Sequence, residues 1–507
     1  MRQWLRARAS SNKGGHAIGS MLVGCVALAA VHVQPAWAQS TDSNDDLKAQ
    51  IAQMRQQMQA QQQVMQKMQQ RLDELEAKES SQENATAAAK SAAPIPVQTT
   101  QQAPAPLISS ATVPSSGQPA AYRPPSAPAG VGEPLPEGYV RLGDTGNLLK
   151  LDLVAQLDTM IDNTYMGSKD LFVPSSIPVR GQPFYGSGWN TNLSARQSIF
   201  RMDFRRDTDY GTLKVVYKNN FFGSGTGDMP YNLQYFYGEL DNERFTLLAG
   251  YNISAFTDID VFPNTLDYEG PNSFNFKYGP QIRFIPILYK WGDNTLTLPL
   301  SMEKPNADIT PIGDYEPYSR LADFTAGVRW ETPDWHIQWS NLFRDLGMQD
   351  SATGQTQRTK AFATQLTGST KLFDRDSAQG WYSNGHGYAN FLQDISGLGL
   401  DAAFTDNGIL RAIRARGWGV GYTHGWTDTL SSSASWGYLR ISPSGNMILD
   451  RDELPKSTKF ASLNLAWQFS QRAMLGIEYL WGQNISLIDM RGQGQRVQTT
   501  LRYDLNP

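Results

Sequence analysis

Residues 149–161 read Leu149-Lys150-Leu151-Asp152-Leu153-Val154-Ala155-Gln156-Leu157-Asp158-Thr159-Met160-Ile161, an alternation of apolar and polar side chains. Leu149, Leu151, Leu153, Leu157 and Ile161 share one parity, while Lys150, Asp152, Gln156 and Asp158 share the other. A repeat of two over this length describes a strand with one apolar and one polar face; a helix would group positions three and four apart. The pattern returns with Phe200, Met202 and Phe204 against Arg201, Asp203 and Arg205, and again with Trp335, Ile337, Trp339 and Phe343 against His336, Gln338, Ser340 and Arg344. It closes with Val497, Thr499, Leu501, Tyr503 and Leu505 against Arg496, Gln498, Thr500 and Arg502.

Between residues 139 and 507 sixteen such segments start near Leu148, Ala195, Gly211, Tyr231, Arg244, Gly279, Thr295, Leu321, Asp334, Thr359, Gln379, Ala415, Leu430, Ser457, Ala473 and Gly494. Even segments pass to the next odd one through tight turns such as Asp207-Thr208-Asp209, Asp241-Asn242, Thr332-Pro333, Asp374-Arg375-Asp376 and Thr427-Asp428. Odd-to-even links read as longer, from Ser254 to Tyr278 in one case and Phe391 to Arg414 in another. A soluble sandwich has no reason to sort its loops by length onto one end, whereas outer-membrane barrels place short turns in the periplasm and long loops outside. The expected fold is therefore an all-β membrane protein, a 16-stranded antiparallel transmembrane β-barrel, with its topology fixed by the loop lengths.

The mean hydropathy of −0.44 is compatible with this, because a barrel strand needs only about 9 to 11 residues per crossing and half of them face the lumen. After the N-terminus no run of about 18 apolar residues occurs, which excludes a helical membrane protein. Aromatic residues make up 11% of the chain, and Trp291, Trp330, Trp335, Trp381 and Trp426 flank the proposed turns, where amphipathic rings mark the membrane–water boundary.

Residues 1–38 read as a cleaved export signal: Arg2, Arg6, Arg8 and Lys13, an apolar run from Ala17 to Val33, then Ala36-Trp37-Ala38 before Gln39. Leu22-Val23-Gly24-Cys25 would suit lipidation, but the apolar run continues past it. Cleavage after Ala38 removes Cys25, the only cysteine, so the mature chain has no disulfide. Residues 45–79 read as a short coiled-coil helix, its stripe made by Leu47, Ile51, Met54, Met58, Met65, Met68, Leu72 and Leu75 with Gln61 as the one polar interruption. Residues 80–137 hold eleven of the 28 prolines and read as a linker; extended, it spans more than about 100 Å. The N-terminal region is thus placed in the periplasm and the barrel in the cell outer membrane.

The inward parity carries Lys150, Arg201, Arg205, Lys214, Lys218, Arg283, Arg329, Arg344, Lys371, Arg496 and Arg502, against Asp152, Asp158, Asp162, Asp203, Glu303, Asp323, Glu331, Glu478 and Asp504. The last strand closes beside the first, so Arg496, Arg502, Lys150, Arg201, Arg205, Lys214 and Lys218 fall on one wall. The third long loop holds Asp258, Asp260, Asp267 and Glu269 with only Lys277 to offset them. A basic wall facing an acidic constriction loop would set a transverse field across a water-filled pore. Gly223-Ser224-Gly225-Thr226-Gly227 lacks the Lys-Ser/Thr of a phosphate loop, His336, His386 and His424 lack metal-ligand spacing, and no nucleophile motif occurs. No enzyme activity, cofactor, metal or nucleic-acid partner is expected.

The stretch Phe256-Thr257-Asp258-Ile259-Asp260-Val261-Phe262-Pro263-Asn264-Thr265-Leu266, followed by Gly270-Pro271-Asn272-Ser273 and Gln281-Ile282-Arg283, resembles the third loop and next strand of DcaP-like outer-membrane porins. The resemblance extends over the barrel and the preceding coiled coil. It implies a homotrimer of sixteen-stranded barrels, an N-terminal periplasmic coiled coil, and uptake of small anionic compounds such as dicarboxylates. One departure is the end of the chain, Tyr503-Asp504-Leu505-Asn506-Pro507, where barrels commonly end in an aromatic residue read by the assembly machinery; that reading is lost or falls to Tyr503 and Leu505. The function expected is a passive porin for small hydrophilic solutes with a mild anion preference, embedded in outer-membrane lipid. The alternatives are a sugar-selective porin, which needs a run of inward aromatic rings, and an envelope tether to peptidoglycan or a periplasmic partner through the coiled coil and linker.

Overall fold

The computed structural model describes residues 135–505. The expected signal peptide, the coiled coil and nearly all of the linker lie outside these residues. The described chain forms sixteen barrel staves: β1 Leu148–Asp162, β2 Asn190–Ser194 continuing as Ile199–Thr208, β3 Gly211–Asn220, β4 Asn232–Asp241, β5 Phe245–Ile253 and β6 Tyr278–Trp291. Then follow β7 Asn294–Thr297 continuing as Leu300–Glu303, β8 Asp323–Glu331, β9 Trp335–Asp350, β10 Thr356–Leu372 and β11 Asp376–His386. The last five are β12 Arg414–Gly425, β13 Leu430–Ser442, β14 Pro455–Ser470, β15 Ala473–Ser486 and β16 Arg491–Asp504. Each stave pairs antiparallel with its sequence neighbours, and β16 closes on β1 with Asp162 opposite Arg496 and Gln156 opposite Arg502. Closure leaves no sheet edge, so every backbone group at membrane depth can find a partner.

Period two sets which side chains meet lipid. On β1, Leu151, Leu153, Leu157 and Ile161 are exposed on the outer face, and Gln156, Asp158 and Asp162 are buried inside. Two staves are broken for local reasons. In β7 the break falls at Leu298-Pro299, where proline has no N–H to give the ladder, although the Pro299 carbonyl still accepts from Gly327 at 2.9 Å. In β2 the break at 195–198 is a turn closed by Ser198 N–H donating to the Ala195 carbonyl.

Seven connections at one end are two to four residues long: 209–210, 242–244, 292–293, 332–334, 373–375, 426–429 and 471–472. At the other end lie 163–189, 221–231, 254–277, 304–322, 387–413 and 443–454, but also two short links, 351–355 and 487–490. The expectation that every odd-to-even link is longer is thus corrected at these two. The β9–β10 hairpin keeps pairing outward to Gln349 and Thr356, and the Asp350 carboxylate caps its turn by accepting from the Ala352 and Thr353 N–H groups at 2.8 and 2.9 Å. A second correction concerns Trp381. Trp291, Trp330, Trp335 and Trp426 are exposed beside the turns, whereas Trp381 is 4% exposed and faces inward, packing with Val261, Phe262, Phe274 and Phe276.

Candidate functional site: the lumen and its inward loops

Three long loops turn into the barrel: L1 (163–189), L3 (254–277) and L6 (387–413). They do so because they are apolar enough to have a core of their own. Phe256 of L3 packs on Tyr388, Phe391, Leu392 and Ile395 of L6 and on inward Leu342, Leu439 and Ile441, while L1 inserts Met166, Phe172 and Ile177 against Phe460 and Leu480. At Gly270 φ is 69°, and the Phe262 ring occupies the place a Cβ would take, so only glycine lets L3 turn there.

Polar side chains on the wall fix where these loops lie. Arg329 on β8 grips the start of L3, donating from Nη1 to Asp258 at 3.0 Å and from Nη2 to Asp260 at 2.6 Å, while its Nε holds Glu331 at 3.1 Å. His336 lies 2.9 Å from Asp258 through Nε2 and 2.9 Å from Ser369 through Nδ1. Burial works to raise the Asp258 carboxyl, but Arg329 and His336 outweigh it and hold the group below the ordinary carboxylate range. Further along, Glu478 on β15 accepts from the Leu266 and Asp267 N–H groups at 2.8 and 2.7 Å.

L1, L3 and L6 meet in one seam. Asp267 accepts from Phe172 N–H of L1 at 3.0 Å and from Glu269 N–H at 3.0 Å. Asp394 of L6 accepts from Ser175 N–H of L1 at 2.9 Å and from the Thr458 hydroxyl at 2.6 Å. Gln393 of L6 donates to the Pro271 carbonyl at 2.9 Å and also to that of Glu269. Burial pushes Asp267 up to about 6 even with Arg496 beside it, and burial pushes Asp394 to about 6. Glu269, fully buried, is raised well above the usual range by burial and then by Asp267 and Asp394.

The sequence expectation of an acidic loop facing a basic wall needs correction. Asp258 and Asp260 pair with Arg329, Asp267 lies 3.6 Å from Arg496, and Glu269 is sealed in the seam. Arg496 itself is fully buried, bound by Asp162 at 2.7 Å and by the L1 carbonyls of Ser168 and Lys169. It anchors L1 and presents no free charge. Arg344 is likewise buried, holding Asp323 and Asp401 at 3.1 and 2.7 Å and fixing L6.

The rest of the basic group shares one stretch of wall. Arg201 stands opposite Asp152 on β1 and Lys218 on β3, Arg205 stands opposite Lys214, and Lys218 stands opposite Tyr235 with its ammonium 5.4 Å from that ring. Arg502 on β16 reaches Asp504, and Arg283 lies further round on β6. These guanidiniums are braced by their own strands: Arg201 binds Asp203 through Nε and Nη2 at 2.9 and 2.7 Å, and Arg502 binds Asp504 at 2.9 Å. Arg205 reaches Asp207 at 3.3 Å, and Arg283 uses the neutral acceptors Gln281 at 2.8 Å and the Ile253 carbonyl. A guanidinium has five N–H donors, so each has more donors than these partners use. Lys214 is divided between Glu239 and Asp241 at 2.8 and 3.3 Å.

Sequence reasoning passed over Asp207, Glu239, Asp241 and the role of His336. Asp207 carried a signal: residues two apart on a strand share a face, so Arg201-x-Asp203, Arg205-x-Asp207, Arg329-x-Glu331 and Arg502-x-Asp504 are each a bracing pair in the sequence itself, whereas Glu239 and Asp241 meet Lys214 only across the β3–β4 ladder. His336 carried none, because its partners Asp258 and Ser369 are remote in the chain.

Among solved structures, the barrel is similar to the outer membrane channel DcaP of Acinetobacter baumannii, at 15% identity and a TM-score of 0.61, covering 72% of this chain and 99% of that one. Lower likenesses include the Salmonella typhi OmpF complex with daunomycin (9% identity, TM-score 0.47, 72% and 100% covered) and the anion-selective porin from Comamonas acidovorans (10%, 0.45, 71% and 100%). No curated protein sequence matches the chain. The family model described as DcaP outer membrane protein matches residues 174–505, from the inward-turning half of L1 to the end of β16. A closed sixteen-stave barrel with three loops folded into its lumen and a family match over that barrel make this an outer-membrane channel, and the chain belongs to the DcaP outer membrane protein family.

Proposed function

We propose that the protein is a passive porin for small hydrophilic solutes with a mild preference for anions such as dicarboxylates. The observation that carries this reading is the unequal fate of the lumen charges. The acids of L3 are taken up by Arg329, Arg496 and the buried seam, whereas Lys150, Arg201, Arg283 and Arg502 line the wall that the seam leaves uncovered; Lys218, expected among them, is only 5% exposed and sits behind this surface. Arg201 and Arg502, held flat by carboxylates on their own strands, are oriented before any solute arrives, and an arginine edge can take a carboxylate through parallel hydrogen bonds. The acids on the same wall keep the bias modest. The heptad of residues 45–79 supplies the element that would gather three barrels, with its linker in the periplasm.

Recording from the purified protein in a planar bilayer under a salt gradient tests the reading. Stepwise conductance with a reversal potential of anionic sign is expected; absence of steps refutes the porin, and a cationic sign refutes the preference. Liposome swelling separates the solute classes, with dicarboxylates expected to enter faster than maltose-series sugars.

A further inference from the structure

The outer face of the barrel carries cations of a different kind at the loop end of β12–β14. Arg414 and Arg416 on β12, Arg440 on β13 and Lys459 on β14 have the same parity as lipid-facing Trp418, Val420 and Leu463. Arg416 stands directly opposite Arg440, and Lys459 stands opposite Tyr438, two residues from Arg440. Directly opposed residues in an antiparallel ladder have Cα atoms about 5 Å apart, and like charges placed so repel. Trp418 and Tyr438, with ring centroids 6.3 Å apart, lie just below the three arginines and in register with Lys459, and mark the boundary of the hydrocarbon. The cations therefore lie at headgroup depth.

Among the described residues one carboxylate faces them: Asp489, already paired with Lys456 at 2.6 Å, also feels the charge of Arg440 and of Arg491 without contacting Arg440, so one carboxylate is shared among several cations. Arg416, Arg440 and Lys459 make no side-chain hydrogen bond and no ion pair within 4.0 Å with a described residue, and Arg414 donates only to the neutral Asn384 Oδ1 at 3.3 Å. Other cations at the same rim are treated differently: Arg358 and Lys360 share Asp345, and Lys456 takes Asp489 at 2.6 Å. An anion that bridges Arg416 and Arg440 would turn their repulsion into binding. It must reach them from the lipid side, because both point away from the lumen, and a ligand with acyl chains can also cover the apolar surface of Val420, Tyr422 and Leu463 directly beneath.

We infer that Arg414, Arg416, Arg440 and Lys459 form a binding site for the phosphate groups of the phosphorylated, multiply acylated sugar lipid of the outer leaflet. The inference rests on the outer-membrane placement and not on what the pore conducts. Native mass spectrometry of the full chain, released from detergent after incubation with a bisphosphorylated acylated disaccharide or its phosphate-free counterpart, tests it. Wild-type protein should retain the bisphosphorylated lipid at least tenfold better than the phosphate-free one. Arg416→Gln with Arg440→Gln should abolish that difference, Lys459→Gln alone should reduce it several-fold, and Lys360→Gln should leave it intact. Unchanged retention in the double and the Lys459 variants would overturn the site, as would equal retention of the two lipids by wild type. Displacement by millimolar inorganic phosphate would identify a soluble-anion site and overturn it as well. A shift in subunit number instead of lipid retention in the double variant would mean that the patch joins copies of the chain, which also overturns it.

Discussion

Arg329→Gln should release the first turn of L3 and leave the rest of the loop in place. Arg329 holds Asp258 and Asp260 at 3.0 and 2.6 Å, and the Asp258 side chain is only 1% exposed, so the substitution leaves a buried carboxylate without its main counter-charge. Removing one partner of a buried ion pair costs about 3–5 kcal/mol. His336 and Thr367 still reach Asp258, which puts the expected loss near the lower end, about 3 kcal/mol. At roughly 1.4 kcal/mol per tenfold, local opening then becomes about a hundredfold more frequent. The reporters are the N–H groups of Thr257, Asp260 and Phe262, which donate to the Ser254 carbonyl, the Asp258 carboxylate and the Ile259 carbonyl. Hydrogen exchange should quicken there by that factor, while the Leu266 and Asp267 N–H groups on Glu478 stay protected. Arg329→Lys, with one point charge in place of a fork, should recover only part of the protection. Exchange at 257–262 within threefold of wild type would refute the anchoring role. Equal loss at 266–267 would refute the division of L3 into separately held parts.

Replacing Arg201 and Arg502 together by Gln should lower anion-over-cation permeability several-fold, most strongly at low salt where screening is weakest; unchanged reversal potentials would place selectivity elsewhere. The seam of L1, L3 and L6 should be tighter at pH 4 than at pH 7. Asp267 and Asp394 stand at about 6 when folded and near 4 when released, so the folded seam binds more protons across that window, and the stability present below about pH 4 is lost as pH rises to 6. Exchange at Phe172 and Ser175, corrected for intrinsic rate, reports this, and Asp394→Asn should flatten part of the dependence. An epitope inserted between Ser351 and Gln357 should be reachable on intact cells and one at Asp376 should not; equal access would invert or abolish the topology.

Much of the barrel was legible because its physics is local. Each stave states its inner and outer face by parity, and a turn such as Thr332-Pro333 states where the parity resets. What failed was non-local. Trp381 has the placement of a girdle ring, but its strand register turns it inward, where L3 supplies an apolar pocket and Ser273 accepts from its indole N–H at 3.1 Å. The acids of L3 were visible as charges, yet no pattern in the loop announces that Arg329 and Arg496, 71 and 229 residues from Asp258 and Asp267, would neutralise them. The bracing pairs are the intermediate case, written at i and i+2 and readable once the strand is known.

This division separates what the fold requires from what the pore can vary. A barrel requires alternation, closure and tight turns, none of which depends on particular residues, and the fold is shared at 15% identity with the Acinetobacter baumannii channel. The inward loops require more: Arg344, Arg496 and Glu478 are buried and Arg329 grips a buried carboxylate, so loss of any of them leaves an orphaned charge or unpaired N–H groups, and substitution there costs stability before it changes transport. Arg201, Arg205 and Arg502 belong to neither class. Their partners sit on the same strand and are partly solvated, so exchanging a base for a polar residue changes the field in the lumen while leaving the ladder and the loop anchors intact. On the proposed porin reading, selectivity is therefore the property that single substitutions should retune most cheaply, acting through the one wall that L3 leaves open.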